Sequence, residues 1–127
     1  MNYFFIAGEA SGDLHASNLM RELKVADSEA QFQFLGGDKM KKEAEVKPII
    51  HYRQMSFMGF VAVIKNLKTV LNNIKVCKQA ILQSRPDVVI LVDYPSFNLR
   101  IAEFVKKNLP KTKVYYYISP KIWVWKE

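Results

Sequence analysis

The hydrophobic positions alternate between two kinds of pattern along the chain. Tyr3-Phe4-Phe5-Ile6-Ala7 is a short apolar run that stops at Gly8, and it predicts a buried strand. A helix follows, with Leu14, Leu19, Met20 and Leu23 as its apolar positions and Asp13 as its expected cap. Phe32-Gln33-Phe34-Leu35 ends at Gly36-Gly37 and predicts a second strand. Asp38 is placed to open a short helix, and Val46 to Tyr52 holds a short strand interrupted at Pro48. From Ser56 to Ser84 the period is helical, with Phe60, Ile64, Leu67, Leu71, Ile74 and Ile81 on one face.

Arg85-Pro86 ends that helix. Val88-Val89-Ile90-Leu91-Val92 then has the composition of a strand covered on both faces, the mark of a parallel sheet. Ser96 is placed to cap a helix reaching Asn108, with Phe97, Ile101, Phe104 and Val105 on its apolar face. Pro110 breaks it, and Val114 to Ile118 predicts a last strand, closed by Ser119-Pro120. Regular strand–helix alternation predicts an α/β fold, a Rossmann-like doubly wound parallel sheet with right-handed crossovers.

Composition narrows the class. At 127 residues the chain is long enough to bury a core without disulfides, and half its residues are hydrophobic, which excludes disorder. A lone cysteine, Cys77, excludes a disulfide framework and a Cys-rich zinc site, and it fits a reducing cytoplasm. It lies on the flank of the long helical stripe and is expected to be a small core residue. No apolar run approaches the ~20 residues that span a bilayer. The start, Met1-Asn2-Tyr3-Phe4, has no basic leader region, so no signal peptide is expected.

Charge is unevenly placed. The formal net charge is +7, and residues 46–86, with 7 basic and no acidic groups, carry as much as the whole chain. Such a segment suits a polyanion or an anionic membrane, or it is a solvated helix face. Within it, residues 57–64 carry no charge, and Lys65, Lys68 and Lys75 flank the apolar stripe. That is the pattern of an interfacial helix on anionic lipid, and equally of a core helix with a solvated edge.

Ligands of such sheets bind at the carboxyl ends of the strands. Three loops there have the right composition: residues 8–13, residues 93–98 and residues 119–123. In the first, Gly8 and Gly12 lie between strand and helix, where backbone N–H groups bind an anion or simply make a tight turn. The spacing matches neither dinucleotide nor P-loop fingerprints, and Glu9 and Asp13 would repel a phosphate beside them. Asp93 is the sharpest candidate. A carboxylate directly after a buried strand is partly desolvated, which suits a general base; the competing reading is a turn aspartate ahead of Pro95. His15 and His51 have no metal-ligand spacing, and no DxD-type carboxylate pair is present to hold a metal–nucleotide complex.

These residues resemble a known family, lipid-A-disaccharide synthase. The opening signature is Ala7-Gly8-Glu9-Ala10-Ser11-Gly12-Asp13. It is followed by Gly36-Gly37 with Met40, Met58-Gly59-Phe60, Asp93-x-Pro95-x-Phe97-Asn98, and Tyr116-Tyr117-Ile118-Ser119-Pro120 with Trp123 and Trp125. Asp38 stands where a proline is common and Val124 where an alanine is common.

The resemblance implies an inverting GT-B glycosyltransferase of lipid A biosynthesis. It would transfer 2,3-diacylglucosamine from UDP-2,3-diacylglucosamine to 2,3-diacylglucosamine 1-phosphate (lipid X), giving a β-1,6 disaccharide. It implies no metal and no other cofactor, no nucleic acid, and a place on the inner face of the Gram-negative inner membrane. Asp93 is then the general base. Gly8, Glu9, Ser11, Gly12, Asp13, Asn98, Ser119 and Trp123 are expected around the substrates. Met58, Val61, Ile64, Leu67 and Leu71 are expected at the anionic membrane surface. Family members are two-domain chains roughly two to three times this length. These residues are therefore expected to be the acceptor-side, N-terminal domain, inactive without a UDP-sugar-binding partner domain. Two other classes compete: a receiver-like phosphoacceptor domain, with Asp93 and Lys121 in the phosphorylation roles, and a nucleic-acid-binding module using the basic segment. The first lacks an acidic pair after strand one, and the second lacks interleaved exposed aromatics.

Overall fold

The computed structural model describes residues 1–55 and 66–117. Five strands form one parallel sheet: β1 (Asn2–Ala7), β2 (Gln31–Gly36), β3 (Ile50–His51), β4 (Val88–Val92) and β5 (Lys113–Tyr117), in the spatial order β3-β2-β1-β4-β5. The helices are α1 (Ala10–Ala26), α2 (Asp38–Ala44), α3 (Leu67–Ser84) and α4 (Pro95–Asn108), with a short 3-10 turn at Tyr52–Gln54. The fold is the Rossmann-like α/β arrangement expected from the apolar runs.

β1 and β4 are the centre of the sheet, and their sequences explain why. Tyr3 to Ala7 and Val88 to Val92 are buried throughout, as strands covered on both faces must be. Phe5 sits in register with Phe34 on one side and Ile90 on the other. Alternate residues then feed two cores. One face packs Phe5, Phe34, Ile90 and Val92 with Ala16 and Met20 of α1 and Met40 of α2. The other packs Phe4, Ile6, Val89 and Leu91 with Ile74, Cys77 and Ile81 of α3 and Ile101 and Val105 of α4. Helices cover both faces, so the sheet is doubly wound. Cys77 is fully buried, as the stripe predicts, and burial pushes its thiol far above the ordinary range.

Three local expectations are corrected. α1 starts at Ala10 with an extended Glu9 as its N-cap residue, so Asp13 lies inside the first turn and does not cap it. α4 starts at Pro95, whose fixed φ and missing N–H suit the first helical position, so Ser96 is inside the helix and Tyr94 stands at the cap. In α3 the buried positions are Asn73, Ile74, Cys77 and Ile81, whereas Leu67 and Leu71 are 52% and 50% exposed. The core stripe is thus rotated away from the two leucines at the amino end. The predicted part of that helix at residues 56–65, with Met58, Val61 and Ile64, lies outside the described residues.

Candidate functional site

The order of the strands places the site. β1 is followed by β2 on one side, and the chain later returns to place β4 on the other. The crevice at the carboxyl ends of β1 and β4 is therefore the topological switch point, where open α/β sheets bind ligands. The two loops that leave these strands begin at Gly8 and Asp93.

The loops interlock through Tyr94. A Cβ on Gly8 would stand 2.4 Å from Cδ2 of the Tyr94 ring, so only a residue without a side chain fits beneath it. The ring stacks on Phe97 at 5.4 Å, and its hydroxyl donates to the Met55 carbonyl at 2.6 Å. Burial, and then the Glu9 carboxylate, push the Tyr94 phenol above its ordinary value, so it stays a donor. Tyr94 thus ties together the β1–α1 loop, the β4–α4 loop and the end of the 3-10 turn.

Asp93 is partly buried and has φ 47°, and Tyr94 has φ 51°. Two successive side-chain-bearing residues in the left-handed region are costly and persist only where the surroundings hold them. Here the Asp93 N–H donates to the Tyr117 carbonyl at 3.2 Å. Its carbonyl accepts from Asn98 Nδ2 and from the Tyr116 hydroxyl, both at 2.8 Å. Asn98 is fully buried, with Nδ2 also 3.4 Å from the Val92 carbonyl. Its amide therefore serves the turn that presents Asp93.

The first loop divides its labour. Glu9 and Ser11 are exposed beside the crevice, with Ser11 Oγ donating to Glu9 Oε1 at 3.1 Å. Gly12 lets the first turn of α1 lie against the strand ends: a Cβ there would meet Ala7 Cβ at 3.2 Å and Val92 Cγ1 at 3.6 Å. Asp13 turns away, towards α2, and is 3% exposed. Its Oδ1 accepts from the N–H of Gly37 at 2.9 Å and of Met40 at 3.0 Å, and Oδ2 accepts from Lys39 at 3.1 Å. The carboxylate is a cap for the N-terminus of α2, where backbone donors and the helix dipole favour a negative charge.

The structure thus brings Gly8, Glu9, Ser11, Gly12 and Asp93 to the carboxyl ends of β1 and β4, with Asn98 buried beneath the Asp93 turn, while Asp13, in the first turn of α1, faces away and caps α2. Ser119 and Trp123 lie outside the described residues. Tyr94 and Tyr116 were not among the expected site residues. A period-two reading of Tyr115-Tyr116-Tyr117 separates Tyr116 from its exposed neighbours, which is the signal that was available. His51 bonds Asp38 at 3.3 Å and accepts from the Arg53 N–H, and His15 packs edge-on to Tyr117. Among the described residues, no group of three or more His, Cys, Asp and Glu could hold a metal ion. Nor is any described helix long and apolar enough to cross a membrane. A cleft bounded by Asn2, Gln31, Gln33, Lys47 and Pro86 opens at the amino ends of the strands, away from Asp93.

Known proteins agree with the sequence signature. The chain is 38% identical over 122 residues to the lipid-A-disaccharide synthase of Trichlorobacter lovleyi, an alignment covering 96% of this chain and 31% of the relative. It is 40% identical over 121 residues to lipid-A-disaccharide synthase 1 of Legionella pneumophila strain Lens, covering 95% and 31%. It is 33% identical over 124 residues to the enzyme of that name in Rickettsia bellii, covering 98% and 32%. The chain thus spans about a third of the length of these relatives. The family model for lipid-A-disaccharide synthetase matches residues 3–127, and the chain belongs to that family.

Proposed function

We propose that this chain is the acceptor-side domain of an inverting GT-B glycosyltransferase that makes the lipid A disaccharide. The observation that carries the reading is the position of Asp93: at the carboxyl end of a central strand, at the switch point, in a turn held by side chains from α4 and β5. The donor would be UDP-2,3-diacylglucosamine and the acceptor 2,3-diacylglucosamine 1-phosphate.

In this reading the Asp93 carboxylate takes the proton of the acceptor's 6-hydroxyl. The oxygen attacks the anomeric carbon from the face opposite UDP. The bond between that carbon and the UDP oxygen breaks, and UDP leaves with the bonding pair, so the product is β-linked. Glu9, Ser11 and the backbone around Gly8 border the acceptor. Ser119 and Trp123 are proposed to complete the substrate site. Most contacts to UDP would come from a second Rossmann-like domain, and the 127 residues alone would not turn over.

The membrane belongs to the same proposal. Both substrates carry acyl chains and the acceptor carries a phosphate. Leu67 and Leu71 are exposed apolar side chains on a helix with Lys68, Lys75 and Lys78 and no acidic residue. Together with Met58, Val61 and Ile64 they would rest on the anionic inner face of the inner membrane.

The test is a turnover assay on the full-length protein that carries this chain, given both lipids, reading disaccharide and UDP. Asp93→Asn should cut kcat by about a hundredfold or more, as loss of a general base does, with an unchanged melting curve. Wild-type turnover by that variant would remove Asp93 from the reaction.

A further inference from the structure

The turn that presents Asp93 is held from two directions. Asn98 reaches its carbonyl from within the same loop and helix. Tyr116 reaches the same oxygen from β5, a separate strand hydrogen-bonded to β4. Two further bonds tie the turn to the sheet: the Asp93 N–H donates to the Tyr117 carbonyl of β5, and Asn98 Nδ2 lies 3.4 Å from the Val92 carbonyl of β4. The Tyr116 bond adds a tie from the sheet to the Asp93 carbonyl, in the peptide group between the two left-handed residues. That matters because φ is 47° at Asp93 and 51° at Tyr94, a geometry that relaxes unless something outside the turn opposes it.

Resting on the glycosyltransferase reading, we propose that Tyr116 is a positioning residue: its hydroxyl, donating to the main-chain oxygen of Asp93, holds the left-handed turn that aims the Asp93 carboxylate at the acceptor hydroxyl. The donor role is secure across the neutral range, since burial, and then the Asp93 charge, push the Tyr116 phenol up to about 12. The ring packs against the core beneath α3 and α4, so a phenylalanine keeps the packing and loses only the hydrogen bond. One neutral hydrogen bond contributes little to global stability. A small error in the position of a reacting group, by contrast, is amplified in the rate. The two consequences separate positioning from a structural role.

The experiment compares wild type, Tyr116→Phe and Tyr115→Phe in the full-length protein, measuring kcat, KM for each lipid and thermal melting. Tyr115 is 56% exposed and, among the described residues, no hydrogen bond joins it to the turn, so its variant serves as the control. Tyr116→Phe should lower kcat by about ten- to a hundredfold, with each KM within about twofold and melting nearly unchanged, while Tyr115→Phe matches wild type. An unchanged kcat, a KM that rises in step with the fall in kcat, an equal loss in Tyr115→Phe, or a Tyr116→Phe protein that no longer melts cooperatively would each overturn the inference. A wild-type protein that forms no disaccharide sinks the functional reading and this inference together, whereas an active wild type with an active Tyr116→Phe sinks the inference alone.

Discussion

The ring of Tyr94 lies over the α-carbon of Gly8, leaving no room for a methyl group between them. This contact joins the two loops that leave the central strands β1 and β4. It also makes the crevice at the switch point a built feature rather than a gap between independent loops. Tyr94 cannot swing clear, because its hydroxyl is tied to Met55 and its ring to Phe97.

Gly8→Ala should therefore destabilise the protein by about 1–3 kcal/mol, the usual range for forcing an extra methyl into a packed site. The clash falls on the root of the ring, at Cγ and Cδ2, not on a mobile tip. The nearest response is a shift of Tyr94, which carries Asp93 with it. Denaturant unfolding measures the first effect and turnover the second. A variant of native stability would mean that the two loops separate easily, and the interlock would lose its meaning.

Asp13→Ala should cost about 2–3 kcal/mol, more than an ordinary exposed cap, because it strands buried backbone donors. Three N–H groups of the α2 start, at Gly37, Lys39 and Met40, lose their acceptor together. Hydrogen exchange should show α2 opening before the sheet. Native unfolding with lost substrate affinity would instead return Asp13 to the list of substrate contacts.

The contrast between Asp13 and the strands shows what was legible in the sequence. The central strands announce themselves by local apolar runs and alternation with helices implies a doubly wound sheet, so the places of Gly8 and Asp93 at strand carboxyl ends could be read directly, but the strand order that makes them the switch point could not. Asp13 could not, because the donors it caps lie 24 to 27 residues further on and meet it only after β2 has paired with β1. Ser96 looked like a cap by composition, but Pro95 had already taken the first helical position. The left-handed turn at Asp93 and Tyr94 carries no glycine to mark it, and the Tyr116 bond that holds it comes from another strand. Long-range hydrogen bonds and strained backbone are set by the assembled fold, which a linear pattern does not contain.

Acid should weaken the contact between α1 and α2 through Glu43. Burial raises the pKa of its carboxyl, but hydrogen bonds from Lys24 and Arg21 outweigh that and leave it below the ordinary 4.5. A lowered folded-state pKa gives stability that is complete above pH 4.5 and is lost as the pH falls through the folded value. Unfolding midpoints of wild type and Glu43→Gln should differ by a constant amount above pH 4.5 and converge below it. A gap that persists in acid would show that Glu43 acts through packing rather than charge.

The amino end of α3 offers a test of the membrane proposal that spares the fold. Leu67 and Leu71 are about half exposed and do not belong to the buried stripe of Ile74, Cys77 and Ile81. Replacing both by Glu removes apolar area and opposes the neighbouring Lys68 and Lys75 in their attraction to an anionic surface. Each exposed apolar side chain that enters the headgroup region and each lysine near it contributes on the order of 1 kcal/mol, so the pair should weaken binding to anionic vesicles by at least about tenfold. Co-sedimentation with vesicles of mixed anionic and neutral lipid reads this directly. Unfolding in solution should change by less than about 0.5 kcal/mol, as surface substitutions usually do. Equal vesicle binding by wild type and the double variant would take α3 off the membrane. A large loss of stability would mean instead that the two leucines are covered by protein in the full-length molecule.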